Sequence, residues 1–228
     1  MLILFIRRLI LLHVHMLYQD HYICICEKPV GISSESPGLP EIIKEQTGRT
    51  AYPVHRLDQG TGGAMILAFT SDSCTSMQRL FQQNLVRKEY LAVISGYLTE
   101  KNGLYRDYLF HDKKQNKSYV VSQLRKGVKD ASCEWTVLQS VVSEGQELSL
   151  VRIVLHTGRT HQIRVQFASR GFPLVGDRKY GSRIKAEAPA LWSYHLKFRN
   201  PEIAGSEINV SALPPLSFPW NQFIFDSL

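Results

Sequence analysis

Apolar and polar residues alternate in short stretches along most of the chain, and runs with a helical period are few and brief. Leu17 to Cys26 carries β-favouring residues and stops at Lys28-Pro29-Val30-Gly31. Cys24 and Cys26 alternate there with Ile23 and Ile25, which predicts a buried strand using cysteine as a small apolar residue. A polar, Pro-containing loop spans Ser33 to Pro40. A short helix over Pro40 to Gln46 should then end at Gly48. Ala64 to Phe69 reads as a buried strand. Ser71 caps a helix through Gln83, with Cys74, Met77, Leu80 and Phe81 on one face and Asn84 closing it.

Val86 to Gly96 predicts another strand. A period of two puts Lys88, Tyr90 and Ala92 on one side, and Arg87, Glu89 and Leu91 on the other. Ser132 to Val142 and Glu147 to Leu155 are two more strands around a turn at Glu144-Gly145. A helix begins near Thr160, packs Ile163 and Phe167, and stops at Gly171. Leu191 to Phe198 is a further strand. The tail, with Pro214, Pro215 and Pro219 among Trp220, Phe223 and Phe225, lies back on the core. Many strands with few helices and hairpin-like connections make an α+β fold with a mixed, largely antiparallel sheet. No repeat or linker divides the chain, so 17–228 reads as a single domain.

Residues 1–16 stand apart. Met1 to Leu12 is almost wholly apolar, but Arg7 and Arg8 interrupt it, so it fits neither a membrane span nor a signal peptide. A mis-called start before Met16, a real segment and an amphipathic surface helix remain as readings.

At 228 residues with 44% hydrophobic and 21% charged content, the chain can bury an ordinary globular core. A formal charge of +7 favours a polyanionic partner. The 4 cysteines form no spaced framework, which suits reduced thiols in a cytoplasmic protein.

The chemistry concentrates in two stretches. In Val54-His55-Arg56-Leu57-Asp58-Gln59-Gly60-Thr61-Gly62-Gly63 a carboxylate follows two basic side chains on a Gly-rich turn that leads into a strand. In His156-Thr157-Gly158-Arg159-Thr160-His161-Gln162-Ile163-Arg164, cationic residues gather where a helix begins, an arrangement suited to an anion. The histidines there read equally as polar packing at an element end, and no metal spacing appears. No phosphate-binding Gly-rich motif and no paired carboxylate motif is visible. One carboxylate on a cationic surface points to chemistry on nucleic acid without metal or cofactor. Between Leu104 and Ala131, His111, Lys113, Lys114, Lys117, Arg125, Lys126 and Lys129 interleave with Tyr105, Tyr108 and Tyr119. They suit a phosphate backbone with stacked bases, or a solvated edge hairpin.

His55-Arg56-Leu57-Asp58, Arg87-Lys88-Glu89-Tyr90-Leu91-Ala92 and Gly158-Arg159-Thr160-His161-Gln162-Ile163-Arg164, in that order, closely resemble the three motifs of the RluA-type pseudouridine synthases. Lys28-Pro29-Val30-Gly31 and Gly176-Asp177 with Tyr180-Gly181 match further family positions, so the likeness runs from about Leu17 to Trp220. Thr61-Gly62-Gly63 departs from the family's frequent Thr-Ser-Gly. With only 16 residues before Leu17, the extra RNA-binding domain of some relatives is not expected.

The resemblance implies the pseudouridine synthase fold, with a cleft for RNA and isomerisation of uridine in ribosomal or transfer RNA. Asp58 would be the essential carboxylate, either attacking C1′ or removing a ribose proton. Arg164 would pair with it and keep it ionised. Tyr90 would stack on the uracil and assist loss of the C5 proton. Arg56 would fill the gap left by the flipped base, and His55, Lys88, Arg159 and His161 would contact the RNA. A monomer without cofactor, metal or membrane is expected. The rival readings are a non-catalytic RNA-binding protein and a small-molecule hydrolase that releases uracil.

Overall fold

The computed structural model describes residues 12–226, so the apolar segment up to residue 11 lies outside it. In chain order the strands are β1 (Met16–Gln19), β2 (Ile23–Lys28), β3 (Tyr52–Pro53), β4 (Gly62–Ala68), β5 (Arg87–Ser95), β6 (Asn102–Asp112), β7 (Lys117–Val121), β8 (Val128–Ser143), β9 (Gln146–Leu155), β10 (Leu191–Arg199) and β11 (Glu207–Ser211). The helices are α1 (Leu39–Thr47), α2 (Ser71–Gln82) and α3 (Gln162–Ala168). The chain packs as two compact units, one from the described part of Met1–Arg87 with Ser193–Leu213, the other from Lys88–Trp192 with the described part of Pro214–Leu228.

In the first unit the single stretch expected over 17–26 is a hairpin. Asp20 Oδ1 accepts from the N–H groups of Tyr22 and Ile23 at 2.6 and 2.7 Å and turns the chain. β1 pairs antiparallel with β2, β2 with β4, and β10 with β11. Cys24 and Cys26 are fully buried free thiols, as the alternation predicts. α1 ends at Gly48 with φ 71°. α2 begins at Ser71 itself and is capped one residue earlier than expected, by Thr70, whose hydroxyl accepts from Ser73 N–H at 3.1 Å. Ile23, Ile25, Ile66, Met77 and Phe198 share the core of this unit. Each such side chain contributes about 1.5–3 kcal/mol by leaving water.

In the second unit the strands run β5-β9-β8-β6-β7 through antiparallel ladders. Glu144 and Gly145 adopt φ 49° and 74°, the left-handed pair that a two-residue hairpin requires. Lys88 through Ile94 of β5 are all buried, so both of its alternating faces are covered. Its far edge from β9 is occupied as well, with Val175 N–H donating to Val93 O and Val93 N–H to Ala190 O. It is an interior strand. β7 ends the ladder order of this unit, so the basic hairpin β6–β7 is at an edge. α3 is shorter than expected, and His161 before it sits at φ 55°. Trp220 and Phe223 are buried, as the aromatic tail predicts.

Candidate functional site

Asp58 stands on a turn closed by Thr61 N–H donating to its carbonyl at 2.8 Å. The position of that turn follows from strand register. Lys28, the last residue of β2, faces Gly63 at the start of β4, so loops 29–34 and 57–61 leave neighbouring strands at the same end. They are then fastened together. Gly31 N–H donates to Gln59 O at 2.8 Å, and Gln59 Nε2 returns a bond to Gly31 O at 2.8 Å. Ser34 Oγ donates to Leu57 O and accepts from Leu57 N–H.

Lys28 is fully buried, and its ammonium donates to Pro29 O at 2.9 Å, Ile32 O at 2.7 Å and Gln59 O at 3.4 Å. Burial pulls its pKa down to about 8, and the negative charge of Asp58 works against that fall. A buried cation is therefore fixed beneath the turn that carries Asp58. Gly63 has φ 107°, and a Cβ there would lie 2.2 Å from Ser193 O. The last glycine of the motif is thus set by close packing on β10.

Arg56 is exposed and pairs loosely with Glu35 at 3.3 Å. His55 Nε2 accepts from Ile66 N–H at 3.1 Å, and the ring stacks on Phe81 at 4.6 Å, which ties the residue into the β3–β4 region.

In the second unit Tyr90 faces Ile153 of β9 and is 8% exposed. Lys88 beside it is equally buried, and burial lowers its pKa. Glu89, also buried, lies 3.9 Å from Arg152. The cations around the start of α3 go to separate partners. Arg159 Nε donates to Asp130 O at 2.8 Å, and its backbone N–H goes to Gln162 Oε1 at 3.0 Å. Arg164 donates through Nε and Nη2 to both oxygens of Asp177, at 2.7 and 2.8 Å. His161 Nδ1 lies 2.9 Å from Tyr180 Oη. Two of the cations around the start of α3 thus face carboxylates, Asp130 of β8 and Asp177 of a later turn.

Among the interleaved tyrosines, Tyr105 is packed under Arg170 at 3.9 Å, while Arg170 grips both oxygens of Asp107. Tyr108 is exposed. The sequence reading gave no role to Lys28, Ser34, Ser118, Asp177 or Tyr180. The turn motif flagged Asp177 and Tyr180 by position, whereas nothing in the pattern flags Ser34. Among the described residues no cluster of His, Cys, Asp or Glu could hold a metal ion, and no helix is long and apolar enough to cross a membrane.

A family model for RNA pseudouridylate synthase matches residues 21–169. An uncharacterized RNA pseudouridine synthase of Aquifex aeolicus is 33% identical over 82% of this chain and 66% of its own length. The dual-specificity RNA pseudouridine synthase RluA of Yersinia pestis is 30% identical, covering 81% of this chain and 94% of the relative. The tRNA pseudouridine synthase C of Haemophilus influenzae is 28% identical over 91% and 95%. Human RNA pseudouridylate synthase domain containing 1 superposes with a TM-score of 0.79 at 22% identity, over 90% of this chain and 85% of that one, and so shares the fold. The chain belongs to the RNA pseudouridylate synthase family, in its RluA-type branch, and by that membership is an isomerase of uridine in RNA.

Proposed function

We propose that this protein converts specific uridines of ribosomal or transfer RNA to pseudouridine through the single carboxylate of Asp58. The N1–C1′ bond breaks, the uracil turns while bound, C5 bonds to C1′, and the C5 proton is lost as N1 gains one. Attack on C1′ and removal of a ribose proton both require an ionised carboxylate. Tyr90 and Arg164 complete the catalytic set by their places in the second and third motifs, with Arg164 as the cation that supports the charge on Asp58. Arg56, His55, Arg159, His161 and Lys88 make up the RNA-contacting set. Extruding a base costs a few kcal/mol and least in a loop, so a structured loop is the expected target, handled by a monomer in the cytoplasm.

The observation that carries this reading is the fastened turn at Asp58 with the buried ammonium of Lys28 beneath it. A loop that only binds polyanions gains nothing from an anion held so firmly.

The test uses RNA labelled with tritium at uridine C5, prepared from cells lacking this protein. Bonding of C5 to C1′ releases the label into water. The wild-type chain should release it, and Asp58→Asn should not, while RNA binding survives. Near-normal release by the Asn variant overturns the role of Asp58. No release by the wild type, together with no carbodiimide-detectable pseudouridine, favours the non-catalytic RNA-binding reading.

A further inference from the structure

The short turn after α3 holds Arg164 in two ways at once. Asp177, 1% exposed, takes the edge of the guanidinium through two charge-assisted hydrogen bonds. Tyr180, three residues on and in the same 3-10 turn, sets its ring against that guanidinium, with Cζ 5.1 Å from the ring centroid. An arginine held at its edge and against an aromatic face has little freedom to rotate.

The hydroxyl of the same tyrosine reaches a different element. Tyr180 Oη accepts from Ser118 N–H of β7 at 2.7 Å, and Ser118 is 1% exposed, so this donor has no access to water. Ser118 Oγ in turn donates to Thr160 O at 2.6 Å, just before α3. Lys117 Nζ lies 5.5 Å from the Tyr180 ring on the β7 side. His161 completes the hub through its 2.9 Å contact with the phenol. One side chain therefore joins the basic β6–β7 hairpin, the residue before α3 and the arginine on α3.

We propose that Tyr180 is a positioning residue for Arg164, coupling the placement of that guanidinium to the seating of the β6–β7 hairpin. This rests on the reading of Arg164 as a member of the catalytic set. Tyr180 touches no reacting atom. It acts by keeping Arg164 in one orientation, and RNA pressing on Lys113, Lys114 and Lys117 of the hairpin reaches Arg164 through the Ser118–Tyr180 bond. A phenylalanine would keep the ring contact and lose the link to β7.

The test compares wild type, Tyr180→Phe, Arg164→Lys and the double variant by tritium release at saturating C5-labelled RNA, with filter binding to the same RNA. Tyr180→Phe should lower the maximal rate about 10- to 100-fold, the scale of a displaced catalytic group, with RNA affinity changed less than about twofold. On the Arg164→Lys background the tyrosine substitution should cost little further, because its effect passes through the arginine. An unchanged rate in Tyr180→Phe overturns the proposal. So does a loss that simply multiplies with that of Arg164→Lys, since an independent structural defect would behave in that way. Wild-type turnover in Arg164→Lys alone sinks the catalytic reading of Arg164 and the proposal with it, and it is recognisable without any Tyr180 variant.

Discussion

Ser34 Oγ donates to the Leu57 carbonyl at 2.7 Å and accepts from the Leu57 N–H at 3.0 Å, so one buried hydroxyl holds both polar groups of the residue before Asp58. Together with the Gly31–Gln59 pair it makes the loop after β2 and the turn before β4 move as one piece. This splint fixes the backbone on which Asp58 stands.

Ser34→Ala should therefore leave a buried N–H and carbonyl unpaired and destabilise the protein by about 1–3 kcal/mol. Urea unfolding measures the shift. Maximal tritium release should fall more than RNA affinity, and an unchanged unfolding midpoint would show that the splint is not needed.

Lys28 gives stability an unusual pH dependence. Its ordinary value is 10.5 and its folded value about 8, so above pH 8 the unfolded chain holds the proton longer than the folded one. Stability must then rise with pH, by at most about 1.4 kcal/mol per unit from this group. Above pH 9 the thiols oppose it. Burial pushes Cys24 and Cys133 from 9.0 up to about 12, so the unfolded chain loses those protons first and stability falls. Denaturation at a series of pH values should show a maximum near pH 9. Lys28→Met should remove the rise between pH 8 and 9 and keep the fall above it.

Gly63→Ala should be severely destabilising, by at least about 2 kcal/mol, since the new methyl meets backbone and the residue must hold a positive φ. Gly145→Asn is the control, because a Cβ at Gly145 meets nothing within 4 Å and Asn accepts the left-handed turn. Equal melting temperatures for the two variants would contradict the packing at β10.

Tyr90→Phe should keep glycosidic cleavage and slow the later loss of the C5 proton. Rapid quenching of C5-labelled RNA would then show tritium release lagging behind cleavage. Full-speed release would remove the phenol hydroxyl from the mechanism.

The elements that the sequence foretold are those whose signals are local. α1, α2 and the β8–β9 hairpin carry their own stops in Gly48, Asn84 and Glu144-Gly145, which all take left-handed φ. The turn of Asp58 was legible for the same reason. The break at Asp20 was not, because it arises when one carboxylate turns back on the next backbone N–H groups inside a run of strand-forming residues. Asp130 and Asp177 were hidden as partners of Arg159 and Arg164, since only the fold brings residues 29 and 13 positions apart together. The inward side chain of Lys88 was hidden too: period two tells which face a residue shares, not whether that face is covered.

The pairing of Arg159, Arg164 and Arg170 with aspartates has a consequence for ionic strength. A cation already neutralised in the folded chain carries few condensed ions to exchange when a polyanion arrives. Counterion release on RNA binding should then track the exposed Lys113, Lys114, Arg125, Lys126 and Lys129 rather than the 27 basic residues of the chain. The logarithm of affinity should fall with the logarithm of salt with a slope set by about 0.7 per phosphate contacted on a single strand. The buried guanidinium of Arg164 would then serve geometry, where the exposed lysines serve capture.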